Sequence, residues 1–267
     1  MSNLILENWD QLTEEQQQLA IQQIEANPEL KPADAHPASI FFRDFKWVKI
    51  ENFIDSNMAA LLYQHTKLGA QRLAYLEELH GEVIHTDTLL KDHYGDFRDK
   101  QAPGDYSKYG DPVFDALLQL SLVNIQDYTG LELLPNYTYH RLYTTGTELK
   151  RHVDRPSCEI SVTLCLGYDT SNVDNNTYPN YDWPMFVKDI NGNEIPIHMK
   201  PGDALIYRGC EIEHWREPFI GLNHAQAFFH YNVKDGEFNI SNDGRPVLGF
   251  PASFRDPKIV GTAQGNY

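Results

Sequence analysis

The run Arg151-His152-Val153-Asp154-Arg155-Pro156 places an imidazole and a carboxylate two residues apart, shortly after a turn at Gly146. On extended backbone, residues i and i+2 point to the same side, so His152 and Asp154 are able to reach one ion together. A third ligand must come from a distant strand. His214 lies 60 residues beyond Asp154, between the Pro201-Gly202-Asp203 turn and Pro218. Two neutral imidazoles and one carboxylate on one face leave half the coordination sphere of an octahedral ion open. That donor set suits an Fe(II) that must hold a co-substrate and dioxygen together. Spacing alone does not decide the matter, because His85-Thr86-Asp87 shows the same pattern. It follows a helical stretch and no strand-rich region comes directly after it, so we read it as a decoy. The plainer reading of His214 is a core histidine with a hydrogen-bond partner.

The elements that must position these residues change character along the chain. Residues 1–34 read as an N-terminal helical segment, with Thr13 and Gln16 in a capping-box pattern, apolar Leu19, Ile21 and Ile24, and a stop at Asn27-Pro28. A Pro-containing linker then leads to residues 40–53, whose mixture of apolar and charged side chains predicts an early strand. Leucines and alanines at helical spacing follow over 55–79, with Asp55 as N-cap. Residues 81–110, rich in Gly, Asp, Tyr and His, read as a long ordered loop of the kind that binds ligands. A second helix has Asp111 as N-cap, Pro112 in its first turn and Gly130 past its end.

From Gly130 the pattern is one of strands. Tyr137, Tyr139, Arg141 and Tyr143 share one face; residues 160–166 form a strong strand ended by Gly167; an Asn- and Asp-rich loop covers 168–182. Further strands are expected over 183–187, 195–199, 204–207 and 225–233. Strands and turns at this spacing predict a sandwich or jelly roll over 35–267, mainly β with packing helices. Ser161 and Thr163 share a face with Glu159 and Cys165; if that face is inward, Glu159 needs a buried partner, with Arg141, Arg155 and Arg216 as candidates. In the last strand either Gln226, Phe228 and His230 or the alternating Ala225, Ala227 and Phe229 face the core.

Composition excludes several classes. The 38 acidic residues outnumber 22 basic ones, a formal charge of −16, which repels phosphate backbones and disfavours nucleic acid as a partner. The same acidity favours a neutral or basic substrate. No apolar run approaches the roughly 20 residues of a membrane helix, and the first ten residues lack the basic start and apolar stretch of a secretory signal. The three cysteines, Cys158, Cys165 and Cys210, are odd in number and lack zinc-finger spacing. They read as free thiols in a reducing cytoplasm.

In order and spacing, Tyr143, Gly146, His152-Val153-Asp154, the strand ending Leu166-Gly167, the Pro201-Gly202-Asp203-Ala204 turn, His214, Pro218, Gly221 and a closing aromatic strand resemble the 2-oxoglutarate/Fe(II)-dependent oxygenase superfamily, especially its prolyl-hydroxylase-like branch. The resemblance covers the C-terminal half of the chain. It implies a double-stranded β-helix (jelly roll, cupin-like) with flanking helices, iron on His152, Asp154 and His214, and Tyr143 reaching the co-substrate. Members of the superfamily usually carry an Arg or Lys for the distal carboxylate of 2-oxoglutarate some way beyond the last histidine, where this chain has Asn223 and His224. Neither offers a permanent bidentate charge. Arg216, two residues after His214, points to the same side if the strand continues. We rank Arg216 first for this carboxylate, His224 second and Arg141 third, with Thr163 as a further co-substrate contact.

The implied reaction uses Fe(II), 2-oxoglutarate and O2 to hydroxylate an unactivated C–H bond of an amino-acid-like, peptidyl or small natural-product substrate. A carboxylate at Asp154 separates the chain from related halogenases, which carry a small residue there. Tyr181, Trp183 and Arg155, with the 81–110 and 168–182 loops, are expected to shape the substrate entrance. Three rivals stand beside this reading. An iron oxygenase independent of 2-oxoglutarate is favoured by the missing late basic residue. A non-catalytic β-helix binding protein has no need of all three ligands. A zinc hydrolase can use the same side chains but wants a general base placed for water.

Overall fold

The computed structural model describes residues 36–258, and the helical segment expected over 1–34 lies outside the described residues. Helices form where a cap and an apolar stripe agree. Helix α1 (Pro37–Phe45) has Pro37 in its first turn, and His36 Nδ1 accepts the Ala38 N–H at 3.2 Å. Phe41, Phe42 and Phe45 fall on its buried face. Only Trp47–Ile50 is extended, as β1, so the first part of the strand expected over 40–53 is helix instead. The proline and its capping histidine decide for helix where the side chains alone fit either state.

Helix α2 (Ser56–His80) starts on Asp55, whose carboxylate accepts the N–H groups of Asn57 and Met58 at 2.9 and 3.0 Å. The stretch expected as loop over 81–110 contains two short helices, α3 (Val83–Thr86) and α4 (Thr88–Tyr94), and a strand, β2 (Tyr106–Tyr109). Helix α5 (Pro112–Thr129) runs between its Asp111 cap and Gly130, where φ is 70°.

The remaining strands are β3 (Leu133–Thr144), β4 (Leu149–His152), β5 (Ile160–Asp169), β6 (Met185–Lys188), β7 (Glu194–Ile197), β8 (Ala204–Arg208), β9 (His214–Arg216) and β10 (Asn223–Val233). They make a six-stranded sheet in the order β1-β8-β5-β10-β3-β2 and a four-stranded sheet in the order β4-β9-β6-β7. Every pairing is antiparallel. Strand β10 settles the alternation that the sequence leaves open. Ala225, Ala227, Phe229 and Tyr231 join the main apolar core with Phe114 and Leu118 of α5, while Phe228 and His230 line a cavity on the other face. Helix α5 packs on β3 and α2 on β5. The second contact depends on Gly167, where a Cβ would meet the Tyr63 ring at 2.8 Å. Among the described residues no helix is long and apolar enough to cross a membrane.

Candidate metal centre

Strand β4 ends on His152 and β9 begins on His214, and the ladder makes the two residues direct partners. Asp154 lies just past β4, tied by its N–H to the Gly209 carbonyl at 2.8 Å. Its Oδ1 is 3.6 Å from Nε2 of His152 and 3.6 Å from Nε2 of His214. In both histidines Nδ1 faces a carbonyl, that of Lys150 at 2.7 Å for His152 and that of Ile212 at 2.9 Å for His214. A carbonyl only accepts, so Nδ1 carries the proton and Nε2 presents its lone pair to the aspartate. A cation between these two lone pairs and the carboxylate oxygen would take all three donors; without one, His152 Nε2 lies 3.1 Å from the Gln101 amide nitrogen and His214 Nε2 3.4 Å from the Tyr207 hydroxyl, contacts that a bound ion would displace. The donor set fits a divalent transition metal.

The electrostatics favour the ligand forms. Burial would raise the Asp154 pKa, but His214, His230 and His152 outweigh it and hold the carboxyl at about 2. Burial, aided by His214, keeps the His152 pKa below its ordinary value. Ser161 on β5 fixes the aspartate: its hydroxyl lies 2.7 Å from Oδ2, and His230 Nδ1 is 3.1 Å from the same hydroxyl. Gly209 makes room for it, since a Cβ there would stand 2.5 Å from Oδ2. The sequence shows Gly209 only as part of a turn, and nothing in it singles out Ser161 as a support for Asp154.

The triad opens on a cavity of about 1180 Å³. Arg216, on the same strand as His214, is 3 % exposed at the cavity wall. One of its terminal nitrogens donates to the Trp183 carbonyl and the other, Nη2, has no partner; its guanidinium lies 4.6 Å over the Trp183 ring. Among the described residues no carboxylate pairs with it. Thr163 Oγ1 and Arg141 Nε are likewise buried without partners in this wall, and Tyr143 Oη accepts from Arg141 at 3.2 Å.

Other expected residues lie elsewhere. His224 stacks on Tyr168 and meets Trp183 edge-on, each 5.2 Å away, and does not line the cavity. Burial and then the Arg216 charge push its pKa well down, so it offers no positive charge. Trp183 is a buried plate behind Arg216, and Tyr181 stacks on Phe219 with its hydroxyl accepting the Ile220 N–H at 3.2 Å. Neither lines this cavity. Arg155 does line the cavity but is clasped by Asp243 at 2.9 and 3.0 Å. Glu159 takes no arginine; it accepts from Val233 N–H at 2.9 Å and the Asn232 amide at 3.2 Å. The His85 ring bridges Glu77 (2.9 Å) and Asp96 (3.2 Å), and Asp87 caps α4. The wall also contains Asp99 and Gln101 from the 95–105 loop, which no periodicity or motif marks in the sequence. Its charge balance runs against that of the chain: nine Lys and Arg residues and four Asp line it, so net acidity is no guide to what enters.

Two facing antiparallel sheets, a triad on the smaller one and helices on the back of the larger define a double-stranded β-helix of the kind found in 2-oxoglutarate/Fe(II) oxygenases. Neither a sequence-family model nor a curated protein matches the chain. Among solved structures, a prolyl-4-hydroxylase from Pseudomonas putida superposes with a TM-score of 0.52 at 15 % identity, over 73 % of this chain and 97 % of that one. HygX from Streptomyces hygroscopicus, with nickel, 2-oxoglutarate and hygromycin B bound, gives 0.51 at 12 % identity, over 83 % and 94 %. EctD from S. alaskensis gives 0.50 at 15 % identity, over 81 % and 82 %. At such identities the likeness is one of fold.

Proposed function

We propose that the protein is a non-haem Fe(II), 2-oxoglutarate-dependent oxygenase that hydroxylates an unactivated C–H bond of a small or peptidyl substrate. The observation that carries this reading is Arg216, a buried guanidinium with an unpartnered nitrogen on the cavity wall, two residues from a metal ligand. A buried cation without a counter-charge is costly, and a ligand carboxylate removes that cost. Same-face neighbours on a strand are about 6–7 Å apart, which matches the span from the chelating end of 2-oxoglutarate to its distal carboxylate. Iron, when bound, would supply dioxygen activation, one oxygen atom entering the substrate C–H bond while 2-oxoglutarate is oxidised to succinate and CO2.

The chain's own residues set the stage. His152, Asp154 and His214 would hold the metal. Arg216 would take the distal carboxylate, and Thr163 and Tyr143 would donate to the same ligand from β5 and β3. Met185, Leu149 and Phe228 supply apolar wall, which strengthens each of these polar contacts by excluding water. The free state of Cys158, Cys165 and Cys210 supports a reducing, cytoplasmic setting.

The test is an anaerobic titration of the Fe(II)-loaded protein with 2-oxoglutarate, followed by an aerobic assay for succinate. Saturable binding and succinate formation support the reading. Iron binding with neither would replace it by an iron oxygenase independent of 2-oxoglutarate.

A further inference from the structure

The cavity holds a second buried arginine that the metal and one diacid leave unused. Arg141, 2 % exposed on β3, is held by Asp99 at 2.9 Å and by Tyr143 at 3.2 Å, and its Nε has no partner. Its Nη1 also donates to Gln101 Oε1 at 3.1 Å, while the Gln101 amide nitrogen lies 3.1 Å from His152 Nε2. The Gln101 carboxamide therefore spans the gap between a buried guanidinium and the metal triad. Gln101 is exposed and sits outside any helix or strand, so it is the part of this arrangement most easily displaced. A carboxylate has the shape of a carboxamide and adds the charge that a guanidinium prefers.

The surrounding charge has the right sign. Of the cationic side chains in the wall, Arg155 and Arg255 share Asp243, Lys108 pairs with Asp111 and Arg98 with Glu82. Lys100 and Lys150 have no acidic partner among the described residues, and both line the cavity. A local positive field in an otherwise acidic molecule concentrates anions at this one opening. Asp99 is not a competing site for a cationic ligand: its oxygens already accept from Arg141, from Tyr139 at 2.5 Å and from the Gln101 N–H at 2.8 Å.

We propose that the substrate carries a carboxylate that docks on Arg141 in place of the Gln101 side chain, which lays the adjoining carbons across the metal face. This deepens the oxygenase reading and rests on Arg141 not being the residue that holds the co-substrate.

The experiment titrates the Ni(II)-loaded full-length protein, saturated with 2-oxoglutarate, with the common L-amino acids, their N-acetyl derivatives and the matching primary amides, read by calorimetry. At least one carboxylate should bind, with its amide about tenfold weaker or worse. Arg141→Met should weaken that carboxylate by about 10–100-fold, Arg141→Lys by less, and Gln101→Ala should tighten it. Arg216→Met should cost 2-oxoglutarate more affinity than Arg141→Met does. Amides binding as well as carboxylates, no carboxylate binding below ~10 mM, or indifference to both Arg141 variants would overturn the proposal. So would 2-oxoglutarate depending on Arg141 and not on Arg216. Should Arg141→Met not fold, Arg141→Lys and Gln101→Ala decide. Loss of 2-oxoglutarate binding by the wild type, with carboxylate binding at Arg141 retained, would sink the co-substrate reading and leave this one standing.

Discussion

His152 and His214 are cross-strand partners whose rings lie 4.2 Å apart, both with Nε2 turned to the Asp154 carboxylate and Nδ1 tied to backbone. The ladder itself thus sets the relative placement of the two rings. Replacing either histidine by Ala should lower Fe(II) affinity by a hundredfold or more, roughly the loss of one ligand bond, with the fold retained. Competition against a chelator measures it. His85→Ala is the control: it should leave metal affinity as it is and lower the melting temperature, because it removes the ring that bridges Glu77 and Asp96. Metal loss in the control and not in His152→Ala would move the centre to His85.

Gly209 bears on the same carboxylate from behind. Its added Cβ would stand 2.3 Å from the Cys158 carbonyl oxygen, 2.5 Å from Asp154 Oδ2 and 2.7 Å from Ser161 Oγ, and an Asp154 that holds an ion would have no room to retreat. Gly209→Ala should therefore weaken metal binding by about 10–100-fold, and the gentler Ser161→Ala by about tenfold, in the range of lost supporting contacts. Metal affinity equal to wild type in both variants would show that Asp154 is not held as described.

What the sequence made legible follows from which forces are local. The caps at Asp55 and Asp111 and the i, i+2 pair His152/Asp154 depend on neighbours in the chain, and each is readable there. The helix at Pro37–Phe45 was obscured because Phe41, Phe42 and Phe45 fit a strand as well, and only Pro37 and His36 break the tie. Trp183, an aromatic beside an Asn-rich loop, reads from the sequence as an exposed residue of the entrance. Its φ of 53° and its hydrogen bond to the Glu217 carbonyl at 2.6 Å turn it inward. Gln101 and Asp99 reach the cavity through a loop whose course is set by tertiary contacts, such as Tyr139 to Asp99, and no local pattern encodes that.

Acid sensitivity of the metal-free protein should trace in part to His140, which does not line the cavity. It is buried against Phe114 at 4.5 Å with Nδ1 unpartnered, and burial pushes its pKa down to about 3 from an ordinary 6.5, with Asp111 opposing. Between those two values the unfolded chain binds a proton that the folded one refuses. Stability contributed by this group is therefore complete above pH 6.5 and falls on acidification, by about 1.4 kcal/mol per pH unit. Urea unfolding of chelated protein from pH 7 to 4.5 should show that slope shrink in His140→Leu. An identical slope in the variant would mean the ring is protonated in the fold.

Arg216 and His224 offer the sharpest contrast for the co-substrate. Arg216 faces the cavity with a free nitrogen, is braced by the Trp183 ring and carbonyl, and lies on the strand that carries His214. His224 is neutral and walled off by Tyr168 and Trp183. A lost charge-assisted hydrogen bond is worth about 1.5–3 kcal/mol, or roughly 10–100-fold in affinity. Arg216→Ala should raise the Kd for 2-oxoglutarate by that factor with Fe(II) affinity little changed, since no metal ligand touches the guanidinium. Arg216→Lys should recover part of the loss, because the charge returns without the two-pronged geometry. His224→Ala should cost only a few-fold, through looser packing behind Trp183. Anaerobic calorimetry on the three variants ranks them. If His224→Ala proves the most damaging, the distal carboxylate lies behind Trp183 and the wall of the cavity must move to admit it; if all three bind as wild type, the diacid does not use this strand.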